Sequence, residues 1–145
     1  MPASLLIQNY VAPNNLFLRN CFYDTATYTN STGSSVTLAE GTLLGRVQSS
    51  NKVLPCASAA TDGSQQPMGI LVGSYTVANT ASATVTFCNR GEINKSAVVL
   101  NGSDTWATAV GSATTGAGST LQDLLIKNTG ISLVNNTELA NYDNQ

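Results

Sequence analysis

The chain has 145 residues, enough for one domain with a genuine hydrophobic core, and its apolar share of 42% is ordinary. Charge is scarce: Asp, Glu, Lys and Arg make up 10%, against about a quarter in a typical domain, and the net charge is −2. Without clustered Lys and Arg to displace counterions or meet anionic lipid, neither nucleic acid nor a membrane surface is expected as a partner.

Residues 1–18 stand apart. "SLLIQNYVAPNNLFL" has apolar pieces but no helical period, and Pro13, Asn14 and Asn15 break it, so it reads as an extended arm. The opening "MPASLLIQNY" has no basic region, and its apolar run from Leu5 to Ile7 is short, so no secretory leader is expected. From "CFYDTATYT" onward β-formers alternate with Thr and Ser, until "NSTGSS" marks a turn. "TLAEGTLLGRV" sets Gly41 and Gly45 around short apolar runs, as in strands kinked at a corner. "NKVLPCA" follows the turn "QSSN", and "GILVGSYTV" reads as one strand. The turn "ANTAS" leads to the strand "ATVTFCNRGEI", and "KSAVVL" is a short apolar run closed by "NGSD". The loop 105–118 is poor in structural signals apart from Trp106. "STLQDLLIKN" is the one convincing helix, capped by Ser119 or Thr120, with Asp123 in its first turn and Gly130 just beyond its end. "GISLV" returns as a strand, and 136–145 is a polar tail.

The reading is mostly β, or β-rich α+β. It implies an arm over 1–18, a β-rich domain over 19–135 and a tail over 136–145. Ile70, Leu71, Val85, Phe87, Leu124 and Ile131 are expected in one core. Because Ile70 and Leu71 point to opposite faces of a strand, at least one must be buried.

In "AATDGSQQPMGILV", Asp62 and Gly63 form a turn pair: Asp tolerates the corner, and Gly supplies positive φ without a Cβ clash. Gly69 lets a neighbouring backbone come close before Ile70, Leu71 and Val72 enter the core. A catalytic Asp62 would need a second titrating group nearby, and the chain has no histidine. Glu40, Glu92 and Asp104 are isolated, and Lys52, Lys95 and Lys127 have no motif context, so no enzyme is expected and no cofactor. Cys21, Cys56 and Cys88 form no C-x-x-C pair, which argues against a metal. They read as three small buried hydrophobes, or as one bridge between Cys56 and Cys88 with a thiol left over. Four N-x-S/T sequons, at Asn30, Asn94, Asn101 and Asn135, are expected by chance in a chain so rich in these residues.

"LAEGTLLGRV", "ATDGSQQPMGILV", "ATVTFCNRGEIN", "AVVL" and the closing "NTGISLV", in that order between Thr37 and Val134, resemble the head decoration (cement) proteins of lambda-type tailed phages. The resemblance implies a small barrel-like or tulip-like β domain with one short late helix and an extended arm. It implies homotrimers on the outer surface of an icosahedral phage head, assembled in the host cytoplasm, that clamp major capsid protein subunits and stabilise the expanded shell. Gly91 falls in its Gly-bearing turn. The arm would then add a strand to a capsid sheet edge, with Leu5, Leu6, Ile7, Asn9, Tyr10, Val11, Asn14, Asn15 and Leu16 as contacts. Two rival roles share the composition: another virion module, such as a baseplate or fibre piece, and a carbohydrate-binding β domain. The latter usually stacks sugars on exposed aromatics, whereas Trp106 and the tyrosines here are scattered, so a sugar partner is not expected.

Overall fold

A computed structural model describes residues 16–110 and 119–135. In chain order the elements are β1 (Phe17–Thr29), β2 (Val36–Leu38), β3 (Leu43–Arg46), β4 (Val53–Pro55), β5 (Pro67–Val72), β6 (Tyr75–Val77), β7 (Ser82–Asn94), a 3-10 turn (Lys95–Ala97), α1 (Leu121–Asn128) and β8 (Gly130–Val134). The fold is mostly β with one short helix, as the sequence predicts. The main sheet runs β1-β4-β3-β5-β7-β8, and a further pairing of β1 with β7 turns five of these strands into a ring. The ring is only partly knitted, because β1 meets β4 at one parallel pair, Tyr28 with Val53. Strand β8 lies outside it, parallel to β7 from Arg90–Gly130 to Asn94–Val134. β2 and β6 form a separate two-stranded sheet.

The single core expected from the sequence is two cores, one on each face of the central strands. Leu43, Ile70 and Cys88 stand side by side on β3, β5 and β7 and belong to the first cluster. Each has a chain neighbour on the opposite face, and these neighbours, Leu44, Leu71 and Phe87, belong to the second. Successive strand residues point to opposite faces, so strands buried on both sides must carry doublets of this kind. Every strand of the ring supplies the second cluster, through Tyr28, Val53, Leu44, Leu71, Val85 and Phe87. The first is covered by Leu121, Leu124 and Leu125 of α1, Ile131 of β8, Val110 and Leu16. Thus Ile70, Leu124 and Ile131 belong to one core, and Leu71, Val85 and Phe87 to the other.

The helix begins as its sequence demands. Of the two candidate caps it is Thr120 that acts: its Oγ1 accepts the Asp123 N–H at 3.2 Å, while the Asp123 carboxylate accepts the Thr120 N–H at 3.2 Å. This reciprocal box satisfies two amides that the first turn would leave unpaired. The helix does not end on Gly130. Thr129 stops it, donating both its N–H (3.0 Å) and its Oγ1–H (2.7 Å) to the Leu125 carbonyl, and Gly130 already opens β8. The expected strand "GILVGSYTV" is likewise divided. Gly73, at φ +77°, separates β5 from β6, and its N–H donates to the Glu40 carboxylate at 2.8 Å. At the opposite corner Asn30, fully buried, donates to the carbonyls of Ser34 (2.7 Å) and Val77 (2.8 Å) and accepts from the Thr32 N–H and hydroxyl. A chance sequon is therefore a structural hub.

Ile70 and Leu71 both have no exposed surface. Ile70→Ala and Leu71→Ala should each lower the unfolding free energy by about 2–5 kcal/mol in urea titrations, since each opens a cavity in a different core. A change under about 0.5 kcal/mol for either would place that side chain outside its cluster.

Candidate functional site

The residues singled out by sequence do not gather into one centre. Asp62 sits at the tip of a loop, exposed, and its carboxylate is spent inside its own turn. Oδ1 accepts the Ser64 hydroxyl at 2.6 Å and the Ser64 N–H at 3.0 Å, the geometry of an Asx turn. Those two donors, the hydroxyl first, hold the carboxyl below the usual range. Gly63 follows at φ +105°, where a Cβ would stand 2.8 Å from both the Arg46 carbonyl and the Gln48 N–H. Gly69, Gly91 and Gly130 are places of close approach. A Cβ on Gly69 would come within 2.6 Å of the Phe87 ring, and one on Gly130 within 2.8 Å of the Arg90 side chain. Gly91 lies not in a turn but inside β7, at φ +132°, where bulges shift the register against β1 and the backbone of residues 19–21 presses within 3 Å.

All three cysteines are free. Cys56 and Cys88 are buried in the first core, and burial pushes their thiols up to about 12 and about 11. Cys56 is pushed further by the Asp104 carboxylate nearby. Neither is a thiolate at neutral pH, which removes the nucleophilic form. Asp104 itself is a clasp, accepting the Ser58 hydroxyl at 2.6 Å and the Ser58 N–H at 3.0 Å. Among the described residues no group of three His, Cys, Asp or Glu could hold a metal.

Of the loop 105–118, residues 105–110 are described, and they are pinned to the start of α1. Val110 is buried, its N–H donates to the Ser119 carbonyl at 3.0 Å, and Leu121 donates back to Thr108 at 3.0 Å. Trp106 is half-buried against the first core, with its indole N–H on the Lys95 carbonyl at 3.4 Å.

Of the arm, Leu5, Leu6, Ile7, Asn9, Tyr10, Val11, Asn14 and Asn15 lie outside the described residues. Leu16 is placed, and it is not a surface residue. It is 6% exposed in the first core, its methyls lie against Gly41, and its carbonyl accepts the Asn94 N–H at 2.9 Å. Phe17 and Leu18, counted with the arm in the sequence, open β1.

The exposed apolar surface that sequence reasoning missed is on β1. Phe22 and Tyr23 are 58% and 54% exposed. They alternate with nothing polar, because the register shifts between them bring both outward, and so the period-2 signal is lost. The Arg90 guanidinium stands over the Phe22 ring at 5.5 Å, a cation–π contact, and Phe17 meets Tyr23 edge to face at 6.2 Å. On one side β1 is laddered to β7 from Phe17 to Thr29; on the other, among the described residues, it pairs only at Tyr28. A long strand thus presents an open edge beside an aromatic patch.

Two measurements check these assignments. Native protein treated with iodoacetamide near neutral pH should carry label on Cys21 at most, with Cys56 and Cys88 modified only in denaturant; rapid native labelling of Cys56 would mean an open core. Asp62, with its folded pKa depressed, contributes stability that is whole above the ordinary carboxylate range and is lost as pH falls through the lowered value. Asp62→Asn should therefore narrow its deficit against wild type as pH drops below about 4. A deficit constant with pH would assign the loss to something other than the charge.

Comparison with curated proteins finds no match. The family model for the bacteriophage lambda head decoration protein D matches residues 16–118, well over half of the chain, from the root of the arm through the ring strands to the segment before α1. With that match go a structural role at the phage capsid and a place in the virion. The family is one of structural capsid proteins and is not known for catalysis. This mostly-β chain, with its buried thiols, self-satisfied Asp62 turn and open β1 edge, belongs to the family of the bacteriophage lambda head decoration protein D.

Proposed function

We propose that the protein binds the outside of an icosahedral phage head as a homotrimer and stabilises the expanded shell by clamping neighbouring copies of the major capsid protein. The observation that carries this is the family match over residues 16–118. The physics of the surface supports it. An exposed strand edge and an aromatic patch invite pairing with another chain, and a protein that lives as a soluble subunit must cover them. The sparse charge leaves a hydroxyl-rich and amide-rich exterior suited to a wet, polar contact with a lattice.

The arm, residues 1–15, is the capsid-engaging element in this reading. Its apolar residues supply alternate side chains for pockets, while its backbone adds a strand to a capsid sheet edge. Three arms on one trimer need not bind tightly one by one, because each engaged arm raises the effective concentration of the others. Leu16, locked in the core, is the root from which each arm departs.

Light scattering should give a mass three times the 15.0 kDa of the chain; a stable monomer at micromolar concentration would remove the trimer. Deleting residues 1–15 should leave the melting temperature within a few degrees and weaken binding to expanded heads by more than about a hundredfold, since avidity is lost at every site at once. Deleting residues 1–18 should in addition destabilise the domain by about 2–5 kcal/mol, because Leu16 leaves the core. Full decoration by the 1–15 deletion would move the capsid contacts to the folded domain.

A further inference from the structure

A groove of about 720 Å³ runs over residues of β1, β3, β5 and β7, with Phe87 of the second core in its lining, to the point where α1 gives way to β8. Its lining includes Asp24 from β1, Arg46 from β3, Met68 from β5, Asn89 and Arg90 from β7, and Asn128 at the end of α1. Two of the chain's six basic residues therefore face a single depression in a protein whose net charge is −2. Neither is neutralised within the fold. Among the described residues the one ion pair joins Arg19 to Glu92, away from the groove lining. Arg46 makes no side-chain hydrogen bond to another described residue, and Arg90 has only its stacking on Phe22.

We infer that this groove is a docking cleft for an extended, carboxylate-bearing segment of the major capsid protein, with Arg46 and Arg90 gripping the carboxylate. The inference rests on the decoration role proposed above and adds to it the chemistry of the partner. Guanidinium forks bind a carboxylate with two parallel N–H···O bonds, which gives orientation as well as attraction. The remaining lining suits a peptide backbone. The Asn128 amide group is held by its Nδ2, which donates to Gln66 Oε1 at 3.2 Å and to the Pro67 carbonyl at 3.3 Å, and this leaves its Oδ1 free to accept a peptide N–H. Asn89, with no side-chain hydrogen bond to a described residue, offers both a donor and an acceptor. Half-buried Met68 supplies an adaptable apolar floor. Asp24 sets the limit on the ligand. A polyanion such as nucleic acid would run its phosphates against that carboxylate, whereas a segment with one isolated acidic side chain need not. Arg90 also ties the cleft to the aromatic patch, since its guanidinium covers Phe22. A partner drawing Arg90 into the groove would uncover that ring for further contact.

The test titrates the full chain, its R46Q/R90Q variant and an R19Q control onto expanded, undecorated heads of the phage. Both arginines are exposed, so the double variant should keep the wild-type melting temperature. It should bind heads about tenfold or more weakly and lose most of the salt dependence of binding, while R19Q matches wild type. In parallel, amide NMR follows the wild-type chain with an acetylated Gly-Glu-Gly amide peptide and its Gly-Gln-Gly counterpart. Shifts at Arg46, Asn89 and Arg90 are expected with the first peptide alone. If wild type decorates heads and R46Q/R90Q decorates them equally well, the cleft is overturned and the decoration role stands. If wild type fails to bind heads, the decoration role falls and the capsid partner with it; the peptide spectra then decide whether the groove accepts a carboxylate at all. Shifts absent or identical for both peptides would overturn that too.

Discussion

The ring of Phe87 lies over the bare backbone of Gly69, and the rest of the domain is arranged around that contact. A Cβ at Gly69 would come within 2.6 Å of the ring and 2.7 Å of the Cys88 carbonyl, so only glycine lets β5 and β7 approach this closely. The approach fixes the register that pairs Ile70 with Cys88 and Leu71 with Phe87. That register sends one member of each doublet to each core. A slip of one residue would exchange the two faces and set Leu71 where Ile70 packs against α1. The ring strands and the helical cover are thus two consequences of one pairing.

This explains why the fold was legible only in part. A strand such as β7 shows itself through β-branched and aromatic residues, and α1 through its cap and its Leu121, Leu124 and Leu125 spacing, because those signals are local. The division into two cores is not local. "GILV" reads as a buried strand, yet nothing in four apolar letters says that its faces meet different partners. Leu16 is the same problem in miniature. Placed after Pro13, Asn14 and Asn15 it looks like the end of an arm, but the chain packs it beside Gly41 in the first core. Gly130 misled for another reason: a glycine after a helix suggests a left-handed cap, whereas here its missing side chain makes room for Arg90.

The functional surface was less legible than the fold. The Asp62–Gly63 turn could be read from composition because Asp and Gly act on their own backbone. Arg46 and Arg90 stand forty-four positions apart and share a groove only because β3 and β7 flank β5. Phe22 and Tyr23 carry no exposure signal at all, since the register shift between them, which passes over Asn89 on the facing strand, is a product of the pairing. Where the surface is nearly neutral, a few such groups stand out against a background of Ser, Thr and Asn. Two unpaired guanidinium groups then count for more than they would on a highly charged protein.

In the proposed role the arm and the folded domain must also pass force to one another, and β1 is built for that. It begins at the arm's root, where Leu16 is held by the core and by the Asn94 N–H, and it runs for 13 residues along β7. For any load carried along β1, the antiparallel hydrogen bonds lie across the strand axis. The ladder from Phe17 to Thr29 is therefore loaded in shear, with many bonds sharing the strain rather than opening one after another. The bulges are confined to the root, where Asn20 at φ +53° and Gly91 at φ +132° sit among the register shifts, and pairing then runs unbroken from Tyr23–Cys88 to Thr29–Ser82. The far end of β1 is stitched by Thr29 to Ser82 at 2.7 Å and by Tyr28 to Val53 across the ring. A load entering at Leu16 is thereby delivered to both cores, through β7 to the first and through Tyr28 to the second, which is what a clamp on an expanded shell requires.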